Sequence, residues 1–272
     1  MSANSVQFIE DPADPRVAAY RDVRERDLTG REGLFIAEGE VVIRTLLSPA
    51  SLCAVRSLLL AANRLEAQKD LIAAAGPETP VYAASQAVMD AIAGFPLHRG
   101  LLARGEKPVE RPVEAILADL PEDCVLLACA GIGNHDNMGG LFRNAAAFGA
   151  AAVLRDERCC DPFNRKAIRV SVGAVLRTPG ASAPSLDRLI LALQAARFEV
   201  IALSPGATEP LSGLAGGGRK AILVGSEGPG LPSDIMARVR TVGIPMAGGF
   251  DSLNVAVTSA LALYQITTVS NP

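Results

Sequence analysis

The stretch "NHDNMGGLFRNAAAFGA", residues 134–150, combines features that a buried helix rarely shows together. Its apolar and small side chains predict a helix over residues 139–149 that packs closely against a neighbour. Two glycines stand where that helix would begin, and Arg143 stands in its middle. Because helical side chains lean toward the N-terminus, Arg143 would lie over Gly139 and reach the helix start. Free N–H groups and the helix dipole favour an anion there, so the stretch predicts a phosphate-sized site rather than a buried structural ion pair.

A second unusual loop, "GSEGPGLP" at residues 225–232, follows an apolar stretch that predicts a strand. Its glycines and prolines form a rigid turn that can bring the backbone close to a ligand. A tight surface turn would explain the same glycines, but it would not need the carboxylate of Glu227. The spacing matches neither the dinucleotide fingerprint nor the P-loop, so neither of those sites is predicted.

The third loop opens the stretch "IPMAGGFDSLNVAVTSALALY", residues 244–264. Ser252 is predicted to be the N-cap of a helix over residues 253–268, which places Asn254 in its first turn. Asparagine is a mediocre helix former, and capping by Ser252 does not explain why an asparagine stands at position 254. The helix is slim enough to pack closely on another helix because it carries the small residues Ala256, Ser259, Ala260 and Ala262.

The rest of the chain alternates short apolar stretches with helical patterns in two halves. In the first half, about residues 16–104, strands are predicted in "LFIAEG", "CAVRSLLLA", "PVYAAS" and "RGLLARG". The polar stretch "RGEKPVERPVE" then predicts a linker. In the second half, strands are predicted in "CVLLACA", "AAVLR", "FEVIAL", "AILVGS" and "TVGIP". This alternation indicates a mostly parallel α/β sheet, whose ligands bind at the carboxyl ends of the strands, where the three loops lie.

The composition indicates a globular protein: 272 residues, 49% hydrophobic and 20% charged. No apolar run is long enough for a membrane span and the N-terminus lacks a signal-peptide pattern, so we expect a cytoplasmic protein without a membrane partner. Five cysteines without C-x-x-C spacing predict reduced thiols, and His98 and His135 are too few for a histidine-rich metal site. A net charge of −3 argues against whole-surface binding of polyanions and leaves a local basic patch open.

Taken in order, the three loops resemble the signature motifs of the SpoU (TrmH-like) RNA ribose methyltransferases of the SPOUT class. The resemblance runs over residues 124–268 and includes "DPFNRKAIRVSVGA" between the first two motifs. The first half resembles, more loosely, an L30e-like substrate-binding domain in "FIAEGEVVIRTLL", "PVYAASQAVMDAIAG" and "HRGLLARG". The resemblance implies an L30e-like α/β domain over residues 1–108 and a methyltransferase domain over 109–272. The second domain would have a parallel sheet and a deep trefoil knot.

The resemblance also implies S-adenosylmethionine as the cofactor, held bent in the knot largely by backbone. The implied cofactor contacts are Gly225, Ile244, Met246 and Leu253. The implied catalytic set is Asn137, Arg143, Glu227, Ser252 and Asn254. Two positions depart from the family pattern and bear on target choice. The common D-P-x-N is replaced by residues 134–137, Asn-His-Asp-Asn, and the usual alanine is Gly140.

The implied activity is methyl transfer to a ribose 2′-hydroxyl of structured RNA, with ribosomal RNA favoured over transfer RNA because of the L30e-like domain. The family's proposed base is Arg143, but a guanidinium rarely deprotonates. We therefore expect Arg143 to bind the target phosphate and to stabilise the developing alkoxide. The other four catalytic residues would position the ribose and the cofactor.

Knotted relatives complete the active site with groups from a partner, which implies a homodimer through the catalytic half, with Ala256, Ser259 or Ala260 near the contact or the knot crossing. The expected RNA-facing charges are Arg165, Lys166, Arg169 and Arg177, together with the N-terminal arginines 16, 21, 24, 26 and 31. Either cluster could equally be a solvated face. Two alternative functions stay open: a non-catalytic RNA-binding relative, and a nicotinamide-dependent oxidoreductase, which the missing phosphate fingerprint disfavours.

Overall fold

The computed structural model describes residues 5–21, 33–97, 100–248 and 250–269. Contacts divide the chain into two compact units. Unit 1 comprises Met1–Val109 and Phe163–Arg177, and unit 2 comprises Glu110–Pro162 and Thr178–Pro272. The domain division at residues 108 and 109 stays a prediction, because grouping by contacts assigns residues 163–177 to unit 1 rather than to the second half of the chain.

The strands of unit 1 are β1 (Val6–Ile9), β2 (Leu34–Glu38), β3 (Ala54–Ala61), β4 (Val81–Ala84) and β5 (Leu101–Glu106). They form one sheet in the order β1-β4-β3-β5-β2. β4 pairs in parallel with β1 and β3, whereas β5 pairs antiparallel with β2 and β3. The helices before residue 110 are α1 (Glu40–Leu46), α2 (Lys69–Ala74) and α3 (Gln86–Ala93), with 3-10 turns at Pro15–Tyr20, Ala62–Arg64 and Glu66–Gln68.

From residue 110 onward, helices and strands alternate along the chain. They are α4 (Val113–Asp119), β6 (Cys124–Ala130), α5 (His135–Ala147), β7 (Val153–Asp156), α6 (Arg165–Val170), β8 (Gly180–Ala183), α7 (Leu186–Ala195), β9 (Glu199–Leu203), β10 (Arg219–Gly225), α8 (Ser233–Met236), β11 (Arg240–Val242) and α9 (Val255–Val269). Further 3-10 turns lie at Ala174–Leu176 and Leu211–Gly213. All of these elements belong to unit 2 except α6 and the turn at Ala174–Leu176, which belong to unit 1.

The six strands of unit 2 form a sheet in the order β11-β9-β10-β6-β7-β8, in which every neighbouring pair is parallel. The predicted parallel α/β sheet is therefore confirmed. A sheet that is covered on both faces needs continuous apolar strands, and β6 is buried over residues 125–130 and β10 over residues 221–224. The register places Gly225 at the end of β10 beside Ala130 at the end of β6. The first two motif loops therefore leave the sheet side by side.

Helix α9 packs very closely against α5. A Cβ atom on Gly140 would lie 2.7 Å from the Cβ of Ala256, so the bare glycine is what permits this approach. Asn144 Nδ2 on α5 donates to the Ala256 carbonyl oxygen (2.5 Å) and to Ser259 Oγ (3.0 Å), and Ser259 is fully buried. The predicted close packing of the last helix is confirmed, and its partner within the chain is α5.

No helix in the part of the chain that the structure describes is both long and apolar enough to cross a bilayer.

Candidate active site

The loop between β6 and α5 starts the helix one turn earlier than predicted. Asn134 Oδ1 accepts from the backbone N–H groups of Asp136 (2.8 Å) and Asn137 (3.4 Å), so Asn134 is the N-cap and α5 begins at His135. Arg143 therefore lies two turns into the helix, about 12 Å along its axis from the first residue. The predicted placement of Arg143 at the helix start is wrong, because the capping asparagine lies upstream of the glycines.

Arg143 is nevertheless available to a ligand. Its side chain is exposed and makes no hydrogen bond or ion pair with the residues that the structure describes. A guanidinium without an internal partner keeps its donors for a phosphate or another anion. The expected anion-binding role of Arg143 stays a prediction. The N-terminus of α5 no longer forms part of the expected anion site.

The loop that carries Asn134 is fixed by the turn that follows β7. Gly131 N–H donates to the buried Asp156 carboxylate (2.9 Å), and Cys160 N–H donates to the Ile132 carbonyl (2.8 Å). Ile132 N–H in turn donates to Cys159 Sγ (3.3 Å). Burial raises the pKa of Cys159 to about 12 and that of Cys160 to about 11. These thiols are therefore protonated at neutral pH, and their role in this turn is structural.

One amide group joins the three motif loops. Asn254 Nδ2 donates to Asn137 Oδ1 (2.8 Å) and to Glu227 Oε1 (3.1 Å). Asn254 Oδ1 accepts from the Ala256 N–H (2.9 Å), which makes Asn254 the N-cap of α9. The prediction that Ser252 caps this helix is wrong, because the helix begins at Val255, three residues after Ser252. Asn254 thus has a capping role in addition to the link that it forms.

A cavity of about 770 Å³ lies beside this link, at the carboxyl ends of β9, β10 and β11. All four predicted cofactor residues line it, namely Gly225, Ile244, Met246 and Leu253. Three of the five predicted catalytic residues line it as well, namely Glu227, Ser252 and Asn254. Asn137 and Arg143 are not among the described lining residues. Asn137 is connected to the wall by its hydrogen bond from Asn254.

Glycine is required where the cavity begins. A Cβ atom on Gly225 would lie 2.8 Å from both the carbonyl carbon of Gly230 and the nitrogen of Leu231. These are backbone atoms and cannot swing aside, so only glycine lets the second motif loop fold back over the end of β10. The backbone of Gly230 and Leu231 therefore lies directly against Gly225 at the start of the cavity.

Sequence reasoning missed several residues of the site. Asp251 lines the cavity directly before Ser252, and Ser204 and Pro205 line it at the end of β9. The signal for Asp251 was its place in the third motif loop. Nothing in the sequence indicated Ser204 and Pro205, because β9 is followed by an ordinary polar turn.

The expected RNA-facing charges differ in their availability. Arg165 forms an ion pair with the buried Glu38 and stacks over the Phe95 ring at 5.0 Å, so its role as a free RNA-binding charge is not supported. Arg169 and Arg177 are exposed, as is Lys166.

The N-terminal arginines that the structure describes are bound locally. Arg16 pairs with Asp14 (2.6 Å), and Arg21 donates to the carbonyl oxygens of Pro12 (2.9 Å) and Asp14 (2.6 Å). Arginines 24, 26 and 31 lie outside the described residues, as does His98. Within the described ranges, no group of three or more histidine, cysteine or acidic side chains could hold a metal ion.

The whole chain is similar to proteins named as RNA methyltransferases. An uncharacterized tRNA/rRNA methyltransferase of Mycobacterium tuberculosis is 38% identical over 96% of this chain and 92% of its own length. A 23S rRNA (guanosine-2′-O-)-methyltransferase of a Burkholderia species is 30% identical over 71% of this chain and 78% of its own length. A solved RNA 2′-O ribose methyltransferase is 26% identical with a TM-score of 0.79, over 97% of this chain and 99% of that one.

This fold, with its three joined loops and these relatives, defines the class as an RNA methyltransferase. The chain belongs to the SpoU rRNA Methylase family, whose sequence profile matches residues 125–264.

Proposed function

We propose that this SpoU-family enzyme uses S-adenosylmethionine to methylate a ribose 2′-hydroxyl in structured RNA, with ribosomal RNA favoured over transfer RNA. The observation that carries the proposal is the Asn254 amide, which joins Asn137 and Glu227 at the edge of a cavity that all four expected cofactor residues line. The 2′-oxygen as acceptor is supported by the ribose methylation for which the Burkholderia relative and the solved ribose methyltransferase are named.

The residues of the cavity fit the proposed cofactor. A volume of about 770 Å³ lies in the usual range of small-molecule sites. Ile244, Met246 and Leu253 offer apolar surface for an adenine ring, and the turn at Gly225 offers backbone groups. When bound, S-adenosylmethionine supplies the electrophilic methyl group.

The hydrogen bonds of Asn254 to Asn137 and Glu227 suggest a separate role for each polar residue of the site. Both amide protons of Asn254 are used internally, so Asn254 holds Glu227 and Asn137 in place. Glu227 keeps its second carboxylate oxygen to accept a hydrogen bond from the target hydroxyl and to orient it. Ser252, exposed on the cavity wall, contacts the ribose or the cofactor. Arg143 binds the target phosphate and stabilises the developing alkoxide.

An Asn254→Asp substitution distinguishes the two roles of Asn254, which are to bond Asn137 and Glu227 and to cap α9. Aspartate keeps the oxygen that caps α9, but it places a second carboxylate oxygen against acceptors on Asn137 and Glu227. We expect methyl transfer to fall about tenfold and the free energy of unfolding to fall by about 1 kcal/mol. Single-turnover rates and denaturant unfolding measure both effects.

The matched variant, Asn254→Ala, also removes the cap and should cost about 1 kcal/mol more stability. Wild-type transfer by Asn254→Asp would show that the link has no catalytic importance.

We also propose the architecture that the family resemblance implies: an L30e-like substrate-binding domain at the N-terminus and a deep trefoil knot in the methyltransferase domain. The knot proposal is supported by Ile244, Met246 and residues 251–254, which share one cavity with residues at the ends of β9 and β10 and directly precede α9.

The protein is expected to be a homodimer through the methyltransferase half. Helix α9 exposes Val257 (49%), Leu261 (41%) and Tyr264 (55%), which lie on one face at helical spacing. Because Arg143 is outside the cavity wall of its own chain, we propose that it acts on the cavity of the partner. Light scattering at micromolar concentration should give twice the mass of the chain, and a fully active monomer would contradict the proposal.

Methylation assays test the function directly. The purified protein should transfer labelled methyl groups to ribosomal RNA more efficiently than to transfer RNA, and the modified linkage should resist alkaline hydrolysis, as a 2′-O-methylated ribose does. Base methylation would contradict the ribose assignment. Cofactor binding without transfer to either RNA would instead favour the non-catalytic alternative.

A further inference from the structure

The cavity has a charge property that the roles above do not use. Among the described residues that line it, the only ionisable side chains are Glu227 and Asp251, and both are acidic. Glu227 is already engaged by Asn254 (3.1 Å). Asp251 is exposed and makes no hydrogen bond or ion pair with the described residues. The part of the wall that the structure describes holds no basic side chain to neutralise either carboxylate.

Such a cavity distinguishes molecules that differ in charge. S-adenosylmethionine carries a sulfonium cation, whereas the product S-adenosylhomocysteine has a neutral thioether in its place. The two share the adenine, the ribose, the ammonium and the carboxylate. A contact with any shared group therefore changes both affinities equally, and only a field acting on the sulfur changes their ratio.

We propose that Asp251 is a specificity-determining residue whose carboxylate favours the sulfonium cofactor over the thioether product. This inference rests on the proposed function, since it requires the cavity to bind S-adenosylmethionine. Once the methyl group has been transferred, the attraction is lost and the product is held less tightly. Asp251 thereby limits product inhibition without touching the methyl acceptor.

Calorimetric titration of three ligands tests the proposal: S-adenosylmethionine, S-adenosylhomocysteine and sinefungin, which has an amine-bearing carbon in place of the sulfonium. Asp251→Asn should lower the ratio of the product Kd to the cofactor Kd roughly three- to tenfold. Sinefungin should weaken together with S-adenosylmethionine. Added salt should shrink the wild-type ratio, because the carboxylate is exposed.

The matched control is Asp123→Asn, because Asp123 is exposed and directly precedes β6, at the opposite end of the parallel strands from the cavity. It should leave the ratio unchanged. Equal weakening of all three ligands by Asp251→Asn would overturn the inference and show that Asp251 contacts a shared group. An unchanged ratio would also overturn it. Failure of the wild-type protein to bind any of the three ligands would instead overturn the proposed function itself.

Discussion

Arg143→Ala should lower the rate of methyl transfer a few hundred-fold while leaving the affinity for S-adenosylmethionine nearly unchanged. Arg143 lies outside the cavity wall and has no partner among the described residues, so its removal disturbs neither the cavity nor the packing of α5. Loss of a positive group beside a developing alkoxide typically costs about 3 to 4 kcal/mol. Single-turnover rates with saturating RNA, together with calorimetry, measure the two effects.

Arg143→Lys and Arg188→Ala complete the test. Lysine keeps the charge but loses the planar fork, so partial activity supports electrostatic anchoring, whereas activity no better than alanine indicates a role for the guanidinium itself. Arg188 is also exposed on a helix of unit 2 and is the control, which should keep wild-type transfer. Transfer by Arg143→Ala at the wild-type rate would remove Arg143 from the catalytic set.

Leu253→Arg should weaken S-adenosylmethionine binding about 100-fold or more, which corresponds to roughly 2.7 kcal/mol. Leu253 is 39% exposed and lines the cavity. Arginine there fills the space expected for the adenine and places a cation in a site that must accept another cation. Leu52→Arg is the matched control, since Leu52 is 45% exposed in unit 1 and should have no effect on binding. Unchanged affinity in a folded Leu253→Arg protein would mean that the pocket is misplaced.

Mixing these two inactive variants tests whether Arg143 acts on the partner's cavity. In a mixed dimer, the intact cavity of the Arg143→Ala subunit would face the intact Arg143 of the Leu253→Arg subunit. Random exchange of subunits should then restore about a quarter of wild-type activity. If Arg143 serves its own chain's cavity, no mixture recovers activity.

The fold was largely predictable because its central strands are continuous apolar stretches. The four predicted strands of the first half and the five of the second half all occur. β1 was missed because "VQFI" is short and lies at the sheet edge, and β8 because "GASA" lacks the large apolar residues that mark a strand. Helix α4 was missed because the prolines before it extended the apparent linker.

Within the site, the sequence motifs identified the residues correctly more often than they predicted where each helix begins. All seven predicted residues of the second and third loops line one cavity. The cap residues were misjudged, since Asn134 and Asn254 start their helices and neither was predicted to do so. The ion pair between Arg165 and Glu38 joins residues far apart in the chain, and only the tertiary fold brings them together.

The assignment of residues 163–177 to unit 1 has a consequence for how the protein is made. Ala167 and Ile168 in this segment are fully buried, and the Leu52 N–H donates to the Leu176 carbonyl (2.8 Å). The ribosome must therefore synthesise all of α4, β6, α5 and β7 before unit 1 can acquire its last buried side chains. Nascent chains usually fold domain by domain from the N-terminus. Here the N-terminal unit cannot be completed until a segment that is translated within the next unit has been made, so the two units do not follow this simple order.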